Sequence, residues 1–158
     1  MVVGEASAVM TRAGRLLARR GYFRQELADR LLRGGHDSAD VEAALTRLEA
    51  LGLVDDGARA REWVAERVRA KPRSREALRR ELVAKGVGAG LVEQVLDSGS
   101  LDDLDSAQSL AATAIAGMSG LALEVQARRL RSRLLSRGFD EETVTEAIQA
   151  VLPPEGWD

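Results

Sequence analysis

Residues 31–45, LLRGGHDSADVEAAL, decide how the whole chain is read, because the pattern returns without gaps at 82–96 (LVAKGVGAGLVEQVL) and 134–148 (LLSRGFDEETVTEAI). The period is roughly 50 residues, a spacing typical of stacked helical units. Each column has a physical meaning. Leu31, Leu82 and Leu134 end one amphipathic helix, and Gly35, Gly86 and Gly138 then fit a left-handed position just past it, where a Cβ is costly. Left-handed strain alone sets the expected cost of Gly138→Val at about 1–2 kcal/mol. His36, Val87 and Phe139 pack back across the turn. Val41, Val92 and Val144, with Leu45, Leu96 and Ile148 four residues on, form the buried stripe of the next helix. Asp37 and Asp140 are expected to cap that helix, with Gly88 a weaker cap in the second copy.

The segments ahead of these hairpins also read as helices. One covers 22–32. In another, Ala60, Trp63, Val64 and Val68 recur at helical spacing behind a cap at Asp55 or Asp56; Pro72 ends it and Ser74 caps the next. In the third copy, helices are expected over 107–118 and 121–137, separated by a Gly-Met-Ser-Gly break, and Pro153-Pro154 closes the last one. No stretch alternates as a strand would. The expected fold is all-α: a tandem array of three three-helix repeats, elongated and curved, since a lone 50-residue unit buries too little core. The repeats are placed at 12–54, 55–99 and 100–152, with an N-terminal extension at 1–11 and a tail at 153–158.

Composition agrees. Charged residues make up 30% and hydrophobic residues 45%, as in a folded globular chain, while aromatics are only 3%, which suits Leu/Ala helix packing over sheets. Cysteine is absent, which excludes disulfides and thiolate metal sites. No apolar run reaches membrane-spanning length and the first residues do not resemble a secretory signal, so a cytoplasmic location is expected.

The net charge is −2, against indiscriminate nucleic-acid binding. The average hides segregation, however. Residues 59–85 carry ten basic residues against four acidic, and 128–137 five against none. Acids gather at 97–105 and 140–146. On helices, Arg69, Arg73 and Arg80 share a face with Lys71 and Arg75 beside them, Arg79 and Lys85 follow, and Arg129, Arg133 and Arg137 form a second row alongside Arg128 and Arg131. These twelve are the candidate partner-binding residues.

Catalytic chemistry finds little support. The single histidine, His36, shares a column with Val87 and Phe139, so it reads as a turn residue. Asp55 and Asp56 are explained as a cap and a favourable first-turn charge. Asp102, Asp103 and Asp105 lack the glycine and terminal glutamate of a calcium loop. No phosphate loop, nucleophile elbow or paired-histidine motif occurs. No enzyme activity, cofactor or metal is expected.

The passages LEALGLVDD (48–56), RRELVAKGV (79–87) and LLSRGFD (134–140) resemble the RecX family, over roughly residues 12–152. The family has a leucine-rich helix, a glycine, an apolar pair and an Asp pair opening a helix, then a basic segment leading to Leu-x-x-Lys-Gly-apolar. Asp55, Asp56, Gly35, Gly86 and Gly138 fall on its structural positions. Two positions depart: Arg59 stands where the family usually has Phe, and Pro72 and Ser74 replace linker glycines. Trp63 is one turn on and is expected to supply the missing aromatic.

The resemblance implies a regulator, generally an inhibitor, that binds the recombinase RecA as monomer or DNA filament and modulates recombination and repair. A monomer is expected, with weak nucleic-acid contact at most and no membrane. Two other readings stay open: a helical module competing with RecA for single-stranded DNA, and a helical scaffold for some other protein.

Overall fold

The computed structural model describes residues 2–99 and 101–154, and over them every regular element is helical. In chain order these are α1 (Val2–Arg19), α2 (Arg24–Arg33), α3 (Ser38–Ala50), α4 (Asp56–Ala70), α5 (Arg75–Ala84), α6 (Ala89–Ser98), α7 (Asp103–Ile115), α8 (Leu123–Ser136) and α9 (Glu141–Val151). The chain is all-α.

All three hairpin turns are built alike. Gly35, Gly86 and Gly138 have φ of 89°, 85° and 89°. Each glycine N–H donates to the carbonyl three residues back, at 3.0 Å, and the next residue's N–H reaches the carbonyl five back: His36 to Leu31, Val87 to Leu82, Phe139 to Leu134. This bond pair satisfies the last carbonyls of the helix, and it needs the left-handed residue between. Gly52, at φ 73°, closes α3 in the same way, with Leu53 donating to Leu48. Nothing in the repeat alignment singles it out, because the alignment stops at the stripe before it.

Several boundaries differ from expectation. α1 begins within the segment taken as an extension, because Val9, Ala13 and Leu16 already form a buried helical face. α2 starts at Arg24, since buried Phe23 is still extended. α7 starts at Asp103, where the Asp102 carboxylate accepts from the N–H groups of Leu104 and Asp105, and a 3₁₀ turn over Ala116–Met118 finishes it. Asp140 caps α9, accepting from Thr143 N at 2.8 Å, which holds its carboxyl below the usual range. Asp37 occupies the corresponding place before α3 but makes no side-chain bond.

The chain divides into two compact units: Met1–Trp63 with Leu82–Val95, and Val64–Glu81 with Leu96–Asp158. In unit 1 the core joins Val9, Ala13, Leu16, Tyr22, Leu27, Leu31, Val41, Leu45 and Leu48. In unit 2 α7 packs mainly on α9. Ala107, Ala111, Ala114 and Ala147 keep that core thin, and Leu130, Leu134, Phe139, Val144 and Ile148 fill it. The two buried polar side chains among the described residues are both engaged in turns. Ser74 Oγ accepts from Ala77 N at 3.0 Å, capping α5, and Ser74 N donates to Arg137 O at 3.1 Å. Gln126 Nε2 donates to the carbonyls of Met118 and Leu121, at 2.8 and 2.9 Å, tying the α7–α8 turn to α8. Gln126→Leu keeps the volume but orphans both acceptors, so a loss of about 2 kcal/mol is expected in thermal or urea unfolding.

Candidate partner-binding surface

The starts of the middle helices show how repeats are tied together. Asp55 caps α4, accepting from Ala58 N at 3.0 Å. Asp56, one residue on, turns away from its own helix: its Oδ1 accepts from Arg24 N at 2.8 Å, at the opening of α2. In unit 2 the Asp103 carboxylate accepts from Arg75 N, also at 2.8 Å, at the opening of α5. One repeat's acid therefore caps the middle helix of the repeat before it. The arginine side chains correspond as well. Arg24 bonds Glu42 and Glu49 of α3, both at 2.6 Å, which raises its already high pKa. Arg75 bonds Leu96 O, at 2.9 Å, and Asp97 of α6.

The glycines enter the same joints. A Cβ built on Gly86 would lie 2.7 Å from Gln25 Cβ at the start of α2. One built on Gly138 would lie 2.5 Å from Ser74 Oγ and 3.0 Å from Ala77 Cβ at the start of α5. A Cβ on Gly35 would meet nothing within 4 Å. The column is thus uniform in backbone angle and divided in surroundings.

Against this frame of internal bonds, the twelve basic candidates separate into two groups. Arg73 pairs with Glu81, Arg75 with Asp97, Arg79 with Glu76 and Arg131 with Glu141. Arg80 is exposed and its Nε lies 3.9 Å from Glu76. Lys85, in unit 1, sits 3.6 Å from Glu26 and over the Trp63 ring. By contrast Arg69, Lys71, Arg128, Arg129 and Arg133 are exposed. Half-buried Arg137 lines two neighbouring clefts of unit 2. One, of about 290 Å³, also has Arg73, Arg80 and Leu135; the other has Met118, Arg129 and Arg133. Arg137 is where the two basic segments come together.

Trp63 meets Phe23 edge to face, with ring centroids 6.1 Å apart, and the Arg59 guanidinium lies 5.8 and 5.9 Å from the two rings. The residue standing where the family has Phe is thus absorbed into an aromatic cluster of unit 1. His36 is half-buried in its turn. Among the described residues no group of His, Asp or Glu side chains is placed to hold a metal ion, and no helix is long and apolar enough to cross a membrane.

Fold and surface together define a helical-repeat protein whose unit 2 presents exposed arginines around two clefts. Comparison with known proteins narrows this. Residues 10–48 match the family model for the first three-helix domain of RecX, and residues 55–96 the model for the second. The regulatory protein RecX of Chlorobaculum tepidum is 33% identical over 96% of this chain and 93% of its own length. That of Halorhodospira halophila is 36% identical over 93% and 91%. The crystal structure of RecX from Lactobacillus salivarius superposes with a TM-score of 0.79 at 18% identity, over 94% of this chain and 97% of the other, which establishes the shared fold. The chain belongs to the RecX family of regulatory proteins.

Proposed function

We propose that this protein regulates RecA, as an inhibitor, by binding RecA or its filament on DNA through the basic surface of unit 2. Family membership over nearly the full length carries the regulatory reading. The convergence of Arg129, Arg133, Arg137 and Arg80 around two clefts supports this as the contact surface. A surface of many modest charges on a rigid helical frame suits binding by multiple contacts, each weak, summing to a tight complex. Arg69, Lys71 and Arg128 extend that surface. Arg73, Arg75, Arg79 and Arg131 add their charge to it while holding acids of their own chain, and Lys85 belongs to unit 1, beside Glu26. The protein acts as a monomer in this reading, and its negative net charge favours a protein partner as the main target.

The test is capture of purified RecA on the immobilised protein, with and without single-stranded DNA and nucleotide. Retention that follows RecA, in either state, supports the reading. Retention of DNA alone, with none of RecA, replaces it with direct competition for the strand.

A further inference from the structure

We propose that the cleft between α1 and α2 in unit 1 is a binding site for the phosphate backbone of a single nucleic-acid strand. The cleft, of about 260 Å³, is lined by Arg12, Arg15, Leu16 and Arg19 of α1 and Arg30 of α2. Arg12, Arg15 and Arg19 recur at turn spacing, so at 1.5 Å rise per residue they form a row about 10 Å long. Arg30 faces it from the next helix.

All four arginines are exposed, and no carboxylate of the described residues lies within ion-pair distance of any of them. Their neighbours behave differently. Arg20 stacks on Tyr22 and reaches Glu26, and Arg24 holds two glutamates. The nearby acids Glu26 and Asp29 line a neighbouring cleft that Arg30 also borders, but there Arg20 and Lys85 engage Glu26 and Gln25 engages Asp29. Four like charges converging without an acid repel one another, and only Arg19 and Arg30, in the last turns of α1 and α2, have a favourable helix end to offset that. A bound polyanion reverses that repulsion, and guanidinium forks suit phosphate oxygens.

Charge alone also fits an acidic peptide, but the lining decides between them. A peptide interface draws its energy from apolar and aromatic anchors in pockets. Here the one apolar lining residue, Leu16, is itself buried, and no aromatic side chain contributes. A bare row of cations fits a ligand with a charge on every unit. Without an aromatic platform, bases do not stack, and binding is indifferent to sequence. The site belongs to unit 1 and does not rest on RecA binding, so RecA is left out of its test.

Anisotropy of a labelled oligothymidylate is followed across a salt series, with polyglutamate of equal length as comparator. Arg12→Gln/Arg15→Gln/Arg30→Gln is expected to weaken binding at least about tenfold and to make the slope of log K against log salt shallower by about 2, as three lost phosphate contacts require. The parallel variant Arg129→Gln/Arg133→Gln/Arg137→Gln is expected to change it less. Independently of any variant, the oligonucleotide should protect Arg12, Arg15, Arg19 and Arg30 of the wild type from phenylglyoxal. Absent oligothymidylate binding, unchanged affinity of the folded variant, or protection confined to unit 2 would overturn the proposal. Equal affinity for polyglutamate would reassign the cleft to an acidic protein segment.

Discussion

Gly138→Ala is expected to destabilise the protein by about 3 kcal/mol, whereas Gly35→Ala, in the same turn with the same φ, costs about 1 kcal/mol. Both substitutions place a Cβ on a residue in the left-handed region, and that strain is common to them. At Gly35 nothing else happens, because the space is open. At Gly138 the new carbon would stand 2.5 Å from Ser74 Oγ, which cannot swing aside freely because it caps α5 through Ala77 N. Either the turn lifts from α5, losing the Ser74–Arg137 backbone bond, or the cap is lost; each adds an overpacking cost of about 1–3 kcal/mol. Gly86→Ala should resemble Gly138→Ala, since Gln25 Cβ is fixed to the backbone of α2. For a chain of this size the larger cost lowers the thermal midpoint by about 10 °C and the smaller by about 3 °C. Equal losses at all three glycines would mean that the joints between repeats contribute nothing beyond backbone strain.

In the proposed role as an inhibitor of RecA, neutralising Arg129, Arg133 and Arg137 together is expected to weaken inhibition of strand exchange about tenfold at low salt, and progressively less as salt rises. Exposed charges are screened over about 8 Å at physiological ionic strength, and each contributes only a few tenths of a kcal/mol to about 1 kcal/mol to a contact. Three acting on one partner therefore sum to roughly a factor of ten, mostly as slower association. Helical content should not change, because the exposed arginines Arg129 and Arg133 hold no part of the core. The same substitutions at Arg73, Arg75 and Arg79 give a less readable result, since they also break pairs with Glu81, Asp97 and Glu76. Undiminished inhibition by the folded Arg129, Arg133, Arg137 variant would remove this surface from the mechanism.

Acid should act on the first repeat through Glu26. Burial pushes its carboxyl up, but the Phe23 N–H, Arg20 and Lys85 outweigh that and leave it below the usual value. A depressed folded-state pKa gives stability that is present above the ordinary glutamate range and lost as pH falls through the lowered value. In Glu26→Gln the acid limb of the stability profile should flatten, as read from urea midpoints between neutral and acid pH. An unchanged limb would show that these contacts do not favour the charged form.

Helical period, left-handed turns and buried stripes were legible in the chain because they are local: a glycine four residues after a leucine, or a valine four before a leucine, needs no distant partner to be read. All-α architecture and the left-handed turns at Gly35, Gly86 and Gly138 follow from such spacing. The joints between repeats did not follow. Asp56 reads as a cap for its own helix, yet it caps α2, thirty-two residues upstream, because only packing of α4 against the start of α2 brings its carboxylate there. Likewise the arginines of 69–80 and 128–137 look alike as letters. Folding gives Arg73, Arg75 and Arg79 to acids and leaves Arg129 and Arg133 to solvent, a distinction set by which carboxylates the packed helices bring within a few ångströms. The four-arginine cleft escaped the charge count for the same reason: Arg30 joins Arg12, Arg15 and Arg19 only when α2 folds back along α1. Local spacing specified the repeat; contacts between distant residues chose which of its charges are spent inside the molecule and which face outward.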